Sequence, residues 1–392
     1  MRATTRGFAA FTGGASGCRT GRARPGFTIL VLCLAVAGCS GPDPEPSNPS
    51  GPPRYSRALV PLHGSGELAV LSLETGEISA LETPAAWPQA VAIRADLARA
   101  VVLSGYEHEA LEYGLTGSAI AATGASSAVI ATPYVAAYGG TTAAVVSMGG
   151  PSLALWTPPA DAVRVDLPAG TELWDVDGNA DGTRFFLADY VGGGSIFVLD
   201  GTGTVLDRFV LANDLPPTNT TSAGPNALAV SPDGTRLYVA NFETHYAEVG
   251  DDLMVFEVSG GGQLTYLKRV LLHDAVEPTL VARLMDAHGL VVSPDGNQVL
   301  IAYDWGDGSP TVAGGIASYD VGSDEVRVIP FGAGAHPCEI AVDWGRGKAY
   351  APAYDYFASQ GGDEIWVVDL ATRTTSTIDL PPNSMPSDFA VF

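Results

Sequence analysis

The chain carries a repeated pattern of two short apolar runs separated by a tight polar turn. The clearest copy spans residues 225–241 (PNALAVSPDGTRLYVAN), and residues 287–303 repeat it with the same SPDG turn. Apolar runs of this length joined by a Pro-Asp-Gly turn are typical of antiparallel β-hairpins. Weaker copies begin at residues 88, 133, 173 and 337. The pattern therefore predicts six β-hairpins along the chain.

A third apolar run follows each hairpin, and a fourth usually follows the third. The third runs occupy residues 68–73, 110–113, 152–156, 196–200, 253–257, 316–320 and 365–369. The hairpins begin 45, 40, 52, 62 and 50 residues apart. Four short strands recurring at this period are the signature of a β-propeller blade.

The two ends of the repeat region each lack what the other supplies. Residues 386–392 form a first strand with nothing after it, and residues 57–62 form a second strand with no first strand before it. Pairing them would complete one blade and remove the open edges of the array. We therefore predict an all-β, seven-bladed propeller of four-stranded antiparallel blades over residues 57–392. Residues 133–168 are poorly marked, which leaves six or eight blades as alternatives.

The motif at 225–241 resembles the YVTN-type repeats of bacterial seven-bladed propellers, a superfamily that includes lactonase-like proteins and quinoprotein dehydrogenase heavy chains. The resemblance covers about residues 57–392 and is strongest in blades 5 and 6. It implies the propeller fold. It says little about activity, because the glycines and the Pro-Asp turns of the motif are structural and the fold hosts many functions.

The N-terminal 38 residues have the order of charges and apolar residues of an export signal. Residues 1–26 hold five Arg and no acid, and an apolar run over residues 27–37 follows. This run is too short for a permanent membrane span. It ends in VAGC at residues 36–39, which resembles the lipobox of bacterial lipoproteins and implies lipid attachment at Cys39. Ser40 follows where the inner-membrane retention signal has Asp, so we expect an exported lipoprotein at the outer membrane or cell surface.

Residues 39–56 form a Pro-, Gly- and Ser-rich segment that cannot bury a core and predicts an extended tether. We therefore divide the chain into a signal peptide (1–38), a tether (39–56) and a propeller (57–392). Three of the four cysteines precede the propeller, so only Cys338 remains in it and no internal disulfide can form.

Composition adds a strongly acidic surface. The chain has 20 Lys and Arg against 43 Asp and Glu, a net charge of −23, while 46% of residues are hydrophobic. The apolar content excludes a disordered acidic chain, and the charge argues against nucleic acid as a partner. We expect a monomer whose membrane contact is made through the lipid at Cys39.

The longest connections are predicted on one face of the ring, over blades 5 to 7. They cover residues 211–224, 242–252, 271–286, 304–315 and 354–364, and we call the face that carries them the loop face. The Pro-Asp-Gly turns lie on the opposite face, the turn face. Since long loops on a rigid scaffold commonly carry binding sites, this surface and the channel mouth beneath it are the candidate site. The ligand-binding candidates there are Trp174, Asp175, Asn226, His245, His288, Trp305, His336, Glu339, Asp355 and Asp388.

These polar residues also have a purely structural interpretation, in which they bond strand-end amides at the mouth of the channel. Metal binding is a further alternative. The run Asp177-Gly178-Asn179-Ala180-Asp181-Gly182 resembles a calcium loop, with Asp177, Asn179 and Asp181 as ligands, but it coincides with a blade turn and lacks the late Glu. Zinc would need His residues from distant blades to converge. We therefore predict no cofactor, with calcium or zinc left open.

No G-x-S-x-G elbow, nucleotide-binding glycine loop or haem attachment motif occurs in the sequence. The sequence therefore favours a lipid-anchored binding or interaction module over an enzyme. The alternative is a lactonase-like or metal-assisted hydrolase with its site at the mouth of the central channel. Catalytic residues, ligand and substrate remain unassigned at this level.

Overall fold

The structure is a computed structural model of the 392-residue chain. It describes residues 52, 54–82, 87–94, 96–116, 119–147, 149–190, 194–215, 223–243, 252–272, 285–305, 314–332, 335–337, 339–353 and 362–392. The chain divides into two units, Met1–Pro49 and Ser50–Phe392, and all described residues belong to the second. The predicted signal peptide and Cys39 lie outside them. None of the helices in the described ranges has the length and apolar content needed to cross a bilayer.

Three strands begin the propeller and supply most of blade 1: β1 (Arg57–Leu62), β2 (Glu67–Ser72) and β3 (Ile78–Glu82). Blades 2 to 4 follow as β4 (Pro88–Ile93), β5 (Arg99–Ser104), β6 (Glu109–Thr116), β7 (Ala119–Ala128), β8 (Pro133–Gly139), β9 (Thr142–Ser147), β10 (Ser152–Trp156), β11 (Val163–Asp166), β12 (Leu173–Gly178), β13 (Arg184–Asp189), β14 (Ser195–Asp200) and β15 (Val205–Val210). A single helical turn, α1 (Leu211–Asp214), leads out of blade 4.

Blades 5 to 7 are β16 (Ala223–Val230), β17 (Arg236–Glu243), β18 (Asp252–Val258), β19 (Leu264–Leu271), β20 (Met285–Val292), β21 (Gln298–Trp305), β22 (Gly315–Asp320), β23 (Val326–Pro330), β24 (Ala341–Asp343), β25 (Lys348–Pro352), β26 (Glu364–Asp369) and β27 (Thr374–Asp379). The chain ends in β28 (Ala390–Val391). The strands of the described residues form seven four-stranded antiparallel sheets. The predicted fold class is thus confirmed, and each of the seven predicted third runs is the third strand of its blade.

The ring is closed by the C-terminal strand, as the sequence predicts. Strand β28 is the innermost strand of blade 1 and pairs antiparallel with β1, with Ala58 opposite Val391 and Leu59 opposite Ala390. The closure extends on both sides of this short pairing, because Leu62 forms a bridge with Pro386 and the Phe392 N–H donates to the Arg57 carbonyl. The first and last strands of the propeller therefore share one sheet.

The hydrophobic core consists of seven clusters, each between two consecutive blades. Between blades 4 and 5, for example, Phe186 and Ile196 pack with Leu237 and Met254, all of them buried. Successive residues of a strand point to opposite faces of the sheet, so each blade has an apolar row on both of its faces. Each face packs against one neighbouring blade. Stability therefore depends on contacts between blades, and no blade has a core of its own.

The Pro-Asp-Gly turns owe their shape to a small hydrogen-bond network. In blade 5 the Ser231 hydroxyl donates to the Asp233 carboxylate (2.6 Å) and accepts the Arg236 N–H (2.9 Å). Gly234 has φ +70°, the left-handed conformation that glycine adopts without strain. Blade 6 repeats the network with Ser293 and Asp295. These turns hold the first two strands of blades 5 and 6 in register on the turn face.

Candidate functional site

The mouth of the central channel is marked by a β-bulge in the inner strand of five blades. The register of these strands slips between Pro88 and Ala90, Pro133 and Val135, Leu173 and Asp175, Pro225 and Ala227, and Ala287 and Leu290. The extra residue of a bulge has no hydrogen-bonded partner in the β-ladder, and its side chain points in a different direction from that of a regular strand residue. Trp174 and Asn226 are two such residues. Both were predicted as binding candidates at the channel mouth, and both occupy the bulge position of their blade.

Below the mouth, the channel contains a cavity of about 290 Å³ lined by the inner strands. Its polar lining comes from four carboxyl groups, those of Asp175, Asp177, Glu339 and Asp388. The other described lining residues are apolar residues and Gly289, and none of the described lining residues is Lys or Arg. The part of the lining that the structure describes is thus acidic.

Two of these acids bridge one blade to the next. The Asp175 carboxylate accepts the N–H of Val176 in its own strand (2.8 Å) and the N–H of Leu228 in blade 5 (2.7 Å). The Asp388 carboxylate likewise accepts the N–H of Phe389 (2.6 Å) and the N–H of Val91 in blade 2 (2.7 Å). Each acid therefore provides acceptors for amides on the open, channel-facing edge of the following inner strand. This geometry supports the structural interpretation of both residues.

Asp177 repeats the arrangement two residues further along β12. Its carboxylate accepts the N–H of Gly178 (2.8 Å) and the N–H of Val230 in blade 5 (2.8 Å). Asp175 and Asp177 therefore connect the inner strands of blades 4 and 5 by two parallel bonds. They can do this because they are two positions apart in the strand, and alternate residues of a strand face the same side. Adjacent residues would face opposite sides.

The Glu339 side chain reaches the channel through a space that is free only because residue 289 is a glycine. A Cβ atom added to Gly289 of β20 would lie 2.7 Å from Glu339 Oε2 and 2.8 Å from Glu339 Cα. The inner strand of blade 6 therefore lies directly against the residue that precedes blade 7. The side chain of Glu339 occupies space that a larger residue at position 289 would need.

Substituting Gly289 tests this close approach. We expect Gly289→Ala to lower the free energy of unfolding by about 1–3 kcal/mol, the usual cost of overpacking a tight contact. Chemical denaturation measures the change. Gly260→Ala is the matched control, because no atom lies within 4 Å of the added methyl there. Equal stability of the two variants would contradict the close approach.

Burial raises the pKa of every carboxyl group in the channel. Loss of hydration raises the pKa of Asp175 to about 8, aided by the charges of Asp177 and Asp388 and opposed by its two backbone hydrogen bonds. Burial likewise raises the pKa of Asp177 and of Asp388 to about 6. The pKa of Glu339 is raised well above its usual value by burial and then by the charges of Asp388 and Asp175. The four groups are therefore not all ionised at neutral pH.

The other predicted site residues have different surroundings, and some of them lie outside the described residues. Trp174 packs against Tyr190 with ring centroids 4.8 Å apart, and its indole N–H is buried without a hydrogen-bond partner. Asn226 and His336 are partly buried and have contacts of their own. For His288 and Trp305 the structure describes only the backbone, in β20 and β21. His245 and Asp355 lie outside the described residues, as does Cys338.

The calcium candidates have separate hydrogen-bonding roles. Asn179 accepts the Arg184 N–H (2.9 Å), and Asp181 accepts both the N–H and the hydroxyl of Thr183. Asn179 and Asp181 thus reproduce the turn network of blades 5 and 6, with Asn179 at the Ser position. Asp177 faces the channel instead. Within the described ranges, no group of three or more His, Cys, Asp or Glu residues is arranged to hold a metal ion.

A buried ion pair at the loop face was not predicted from the sequence. Asp252 and Arg269 contact each other across β18 and β19, and Asp252 is fully buried opposite Asn241. Burial raises the pKa of Asp252 to about 7, against the charge of Arg269, which lowers it. The only sequence signal is an acid and a base on strands of one blade, which is too common to single them out.

The protein is similar to known proteins in its fold, but its sequence matches no known family. No protein-family model matches this chain, and no curated protein is significantly similar to it. A periplasmic gluconolactonase of Pseudomonas aeruginosa is 16% identical, with a TM-score of 0.62 over 86% of this chain and 99% of that one. The chain has the fold of the lactonase-like seven-bladed propellers.

Two other solved structures with a similar fold are not described as lactonases. A functionally unknown protein of Desulfotomaculum acetoxidans is 14% identical, with a TM-score of 0.63 over 86% of this chain and 98% of that one. A chain of the hydrazine synthase of Kuenenia stuttgartiensis is 13% identical, with a TM-score of 0.58 over 85% and 97%. Identities this low show the fold alone, so function has to be argued from the site.

Proposed function

We propose that this protein is a ligand-binding propeller whose contact surface is the loop face over blades 5 to 7. The observation that carries the proposal is the uneven length of the connections between second and third strands. They cover only residues 63–66, 105–108, 148–151 and 190–194 in blades 1 to 4, but 244–251, 306–314 and 353–363 in blades 5 to 7. Extra chain confined to one side of a rigid ring is typical of a binding surface.

The channel acids support binding rather than catalysis. Asp175, Asp177 and Asp388 each accept two backbone N–H groups, one on each oxygen, which fixes the orientation of the carboxyl group. Their bonds between blades make them part of the scaffold that presents the loops.

Exchanging loops tests the proposal. Residues 306–314 and 353–363 are each replaced by the four-residue connection of blade 1 (HGSG), and residues 148–151 are replaced in the same way as the control. A thermal-shift screen then compares these proteins against aldonolactones, aldonates, calcium and zinc. We expect a stabilising compound to lose its effect on the two blade 6 and 7 exchanges only. Equal stabilisation of all the proteins would contradict the loop face as the binding surface.

A lactone hydrolase is the second candidate, favoured by one observation of the cavity. Carboxyl groups with pKa values near neutrality, such as Asp175 at about 8 and Asp388 at about 6, are suited to general acid–base catalysis. The acidic lining favours a neutral sugar lactone over a phosphorylated one. Hydrolysis of glucono-1,5-lactone above the spontaneous rate in a pH-stat, lost in Glu339→Gln, would support it. A rate equal to the blank would exclude this substrate.

We further propose that the protein is exported and lipid-anchored through Cys39. The order of the Arg-rich segment, the apolar run and VAGC supports this, and the similar gluconolactonase of Pseudomonas aeruginosa is itself periplasmic. Palmitate labelling of cells that express the protein should be lost in Cys39→Ala and kept in Cys33→Ala. Labelling that persists in Cys39→Ala would refute the anchor.

A further inference from the structure

Three aromatic side chains form a row on the loop face over blades 1 and 2, away from the long loops. The rings of His63 and Trp87 have centroids 5.4 Å apart at an interplanar angle of 55°. The rings of Trp87 and Tyr106 are also 5.4 Å apart, at 51°. The three rings come from three different connections of the chain, so their contact is a product of the fold.

The row is exposed to an unusual degree for side chains of this type. Trp87 is 40% exposed and Tyr106 is 68% exposed, although large aromatic residues generally gain stability from burial. Trp87 also has φ +67°, a left-handed conformation that costs a bulky residue conformational energy. The folded protein thus keeps the Trp87 indole exposed although burial and an ordinary backbone conformation would both be more stable. Exposure together with this backbone conformation indicates that the ring binds a ligand rather than stabilising the fold.

The loop-face ends of blades 1 and 2, where the row lies, carry several acidic residues. Four carboxylates lie at the loop-face ends of blades 1 and 2, those of Glu67, Glu82, Glu107 and Glu109. The Arg residues of blades 1 and 2 are Arg57, Arg94 and Arg99, these blades contain no Lys, and all three Arg lie at the strand ends that adjoin the turn face. The face of the row therefore attracts cations and repels anions.

His63 does not disturb this charge pattern. Burial lowers its pKa below the usual value, although a hydrogen bond to the Pro88 backbone opposes the shift. Its imidazole is therefore neutral at pH 7 and presents a ring face without positive charge. Three uncharged aromatic rings at oblique angles within an acidic surface have the composition of an aromatic cage.

We propose that His63, Trp87 and Tyr106 form a binding site for an organic ammonium cation, of the class of the trimethylammonium group of choline. The ring faces attract the cation through their quadrupoles, and the methyl groups bury apolar area against the rings. The four glutamates on this face add long-range electrostatic attraction. This site is independent of the proposed surface over blades 5 to 7.

Binding of choline chloride, followed by the line width and saturation transfer of its methyl resonance in NMR, tests the site. The matched probe is 3,3-dimethyl-1-butanol, which replaces the ammonium nitrogen by carbon and keeps the shape. We expect a dissociation constant for choline in the millimolar range, and binding of the neutral analogue at least about tenfold weaker. Phosphatidylcholine vesicles, run beside free choline, distinguish a lipid headgroup from a soluble cation as the source.

The variants separate the aromatic faces from general hydrophobicity. Trp87→Leu keeps an apolar side chain and removes the ring, so we expect at least about a tenfold loss of choline affinity. Tyr106→Phe keeps the ring and should bind within about twofold of the parent. Equal binding of choline and its neutral analogue would overturn the proposal, as would stronger binding of methyl glucoside, which would indicate a carbohydrate platform. Absence of choline binding to a folded parent protein would also overturn it.

Discussion

Deletion of residues 386–392 is expected to abolish cooperative folding, or to lower the melting temperature by roughly 10–20 °C. The deletion removes β28, the Asp388 acceptor of the Val91 N–H, and Phe389, which is 3% exposed and stacks on Tyr350 at 5.2 Å. Loss of a buried Phe side chain alone costs about 3–5 kcal/mol, and an unpaired buried amide about 1–3 kcal/mol more. Together these losses approach the whole stability of an ordinary domain, about 5–15 kcal/mol.

Two further variants separate the contribution of the Phe389 side chain from a general effect of mutation. Phe389→Ala keeps the backbone pairing with β1 and should retain cooperative unfolding at lower stability. Thr375→Ala, on the exposed outer strand β27, should stay within about 0.5 kcal/mol of the parent. Calorimetry and urea denaturation measure all three. A truncated protein that melts like the parent would mean that the ring does not depend on its closure.

The second large effect is a loss of stability as the pH rises from about 4 to about 8. The folded-state pKa values of the channel acids are raised, to about 6 for Asp177 and Asp388 and about 8 for Asp175. The folded protein then binds more protons than the unfolded chain in this range, so raising the pH favours unfolding. Each unit of raised pKa corresponds to about 1.4 kcal/mol. The summed loss is several kcal/mol.

The surface turns set the lower limit of the stable range. Hydrogen bonds from Ser231 and Ser293 lower the pKa of Asp233 and of Asp295, and the stability that these carboxylates contribute is lost as the pH falls through their folded-state values. The free energy of unfolding should therefore be largest near about pH 4–5 and fall towards pH 8. Asp175→Asn should flatten the curve between about pH 6 and 8. Stability that stays constant or rises over this range in the parent would contradict the buried, protonated acids.

The sequence was sufficient to predict the blades because the information that defines them is local. The turn of residues 231–234 and the apolar runs beside it determine a hairpin without help from other parts of the chain. Blade 3 was hard to recognise for a local reason too. Its strands β8 and β9 are joined by only residues 140 and 141, with Gly140 at φ +57°, so the marker turn is missing although the hairpin is present.

The roles of the acids could not be predicted, because their partners are distant in sequence. Asp175 bonds an amide 53 residues away and Asp388 one 297 residues away. The sequence predicts that these acids lie at the mouth of the channel, but it does not show which backbone groups of the neighbouring blade lie opposite them. The aromatic row was missed for the same reason, since His63, Trp87 and Tyr106 show no common spacing until blades 1 and 2 are assembled.

The chain enters the ring at its turn face. Arg54 donates a hydrogen bond to the Gly345 carbonyl (3.1 Å), and Arg346 bonds the Tyr55 carbonyl, so that the segment before β1 is held against the β24–β25 turn of blade 7. Arg54 and Tyr55 therefore lie at the face opposite the connections between second and third strands. The proposed binding surface over blades 5 to 7 is thus on the face away from the point at which residue 54 enters the ring.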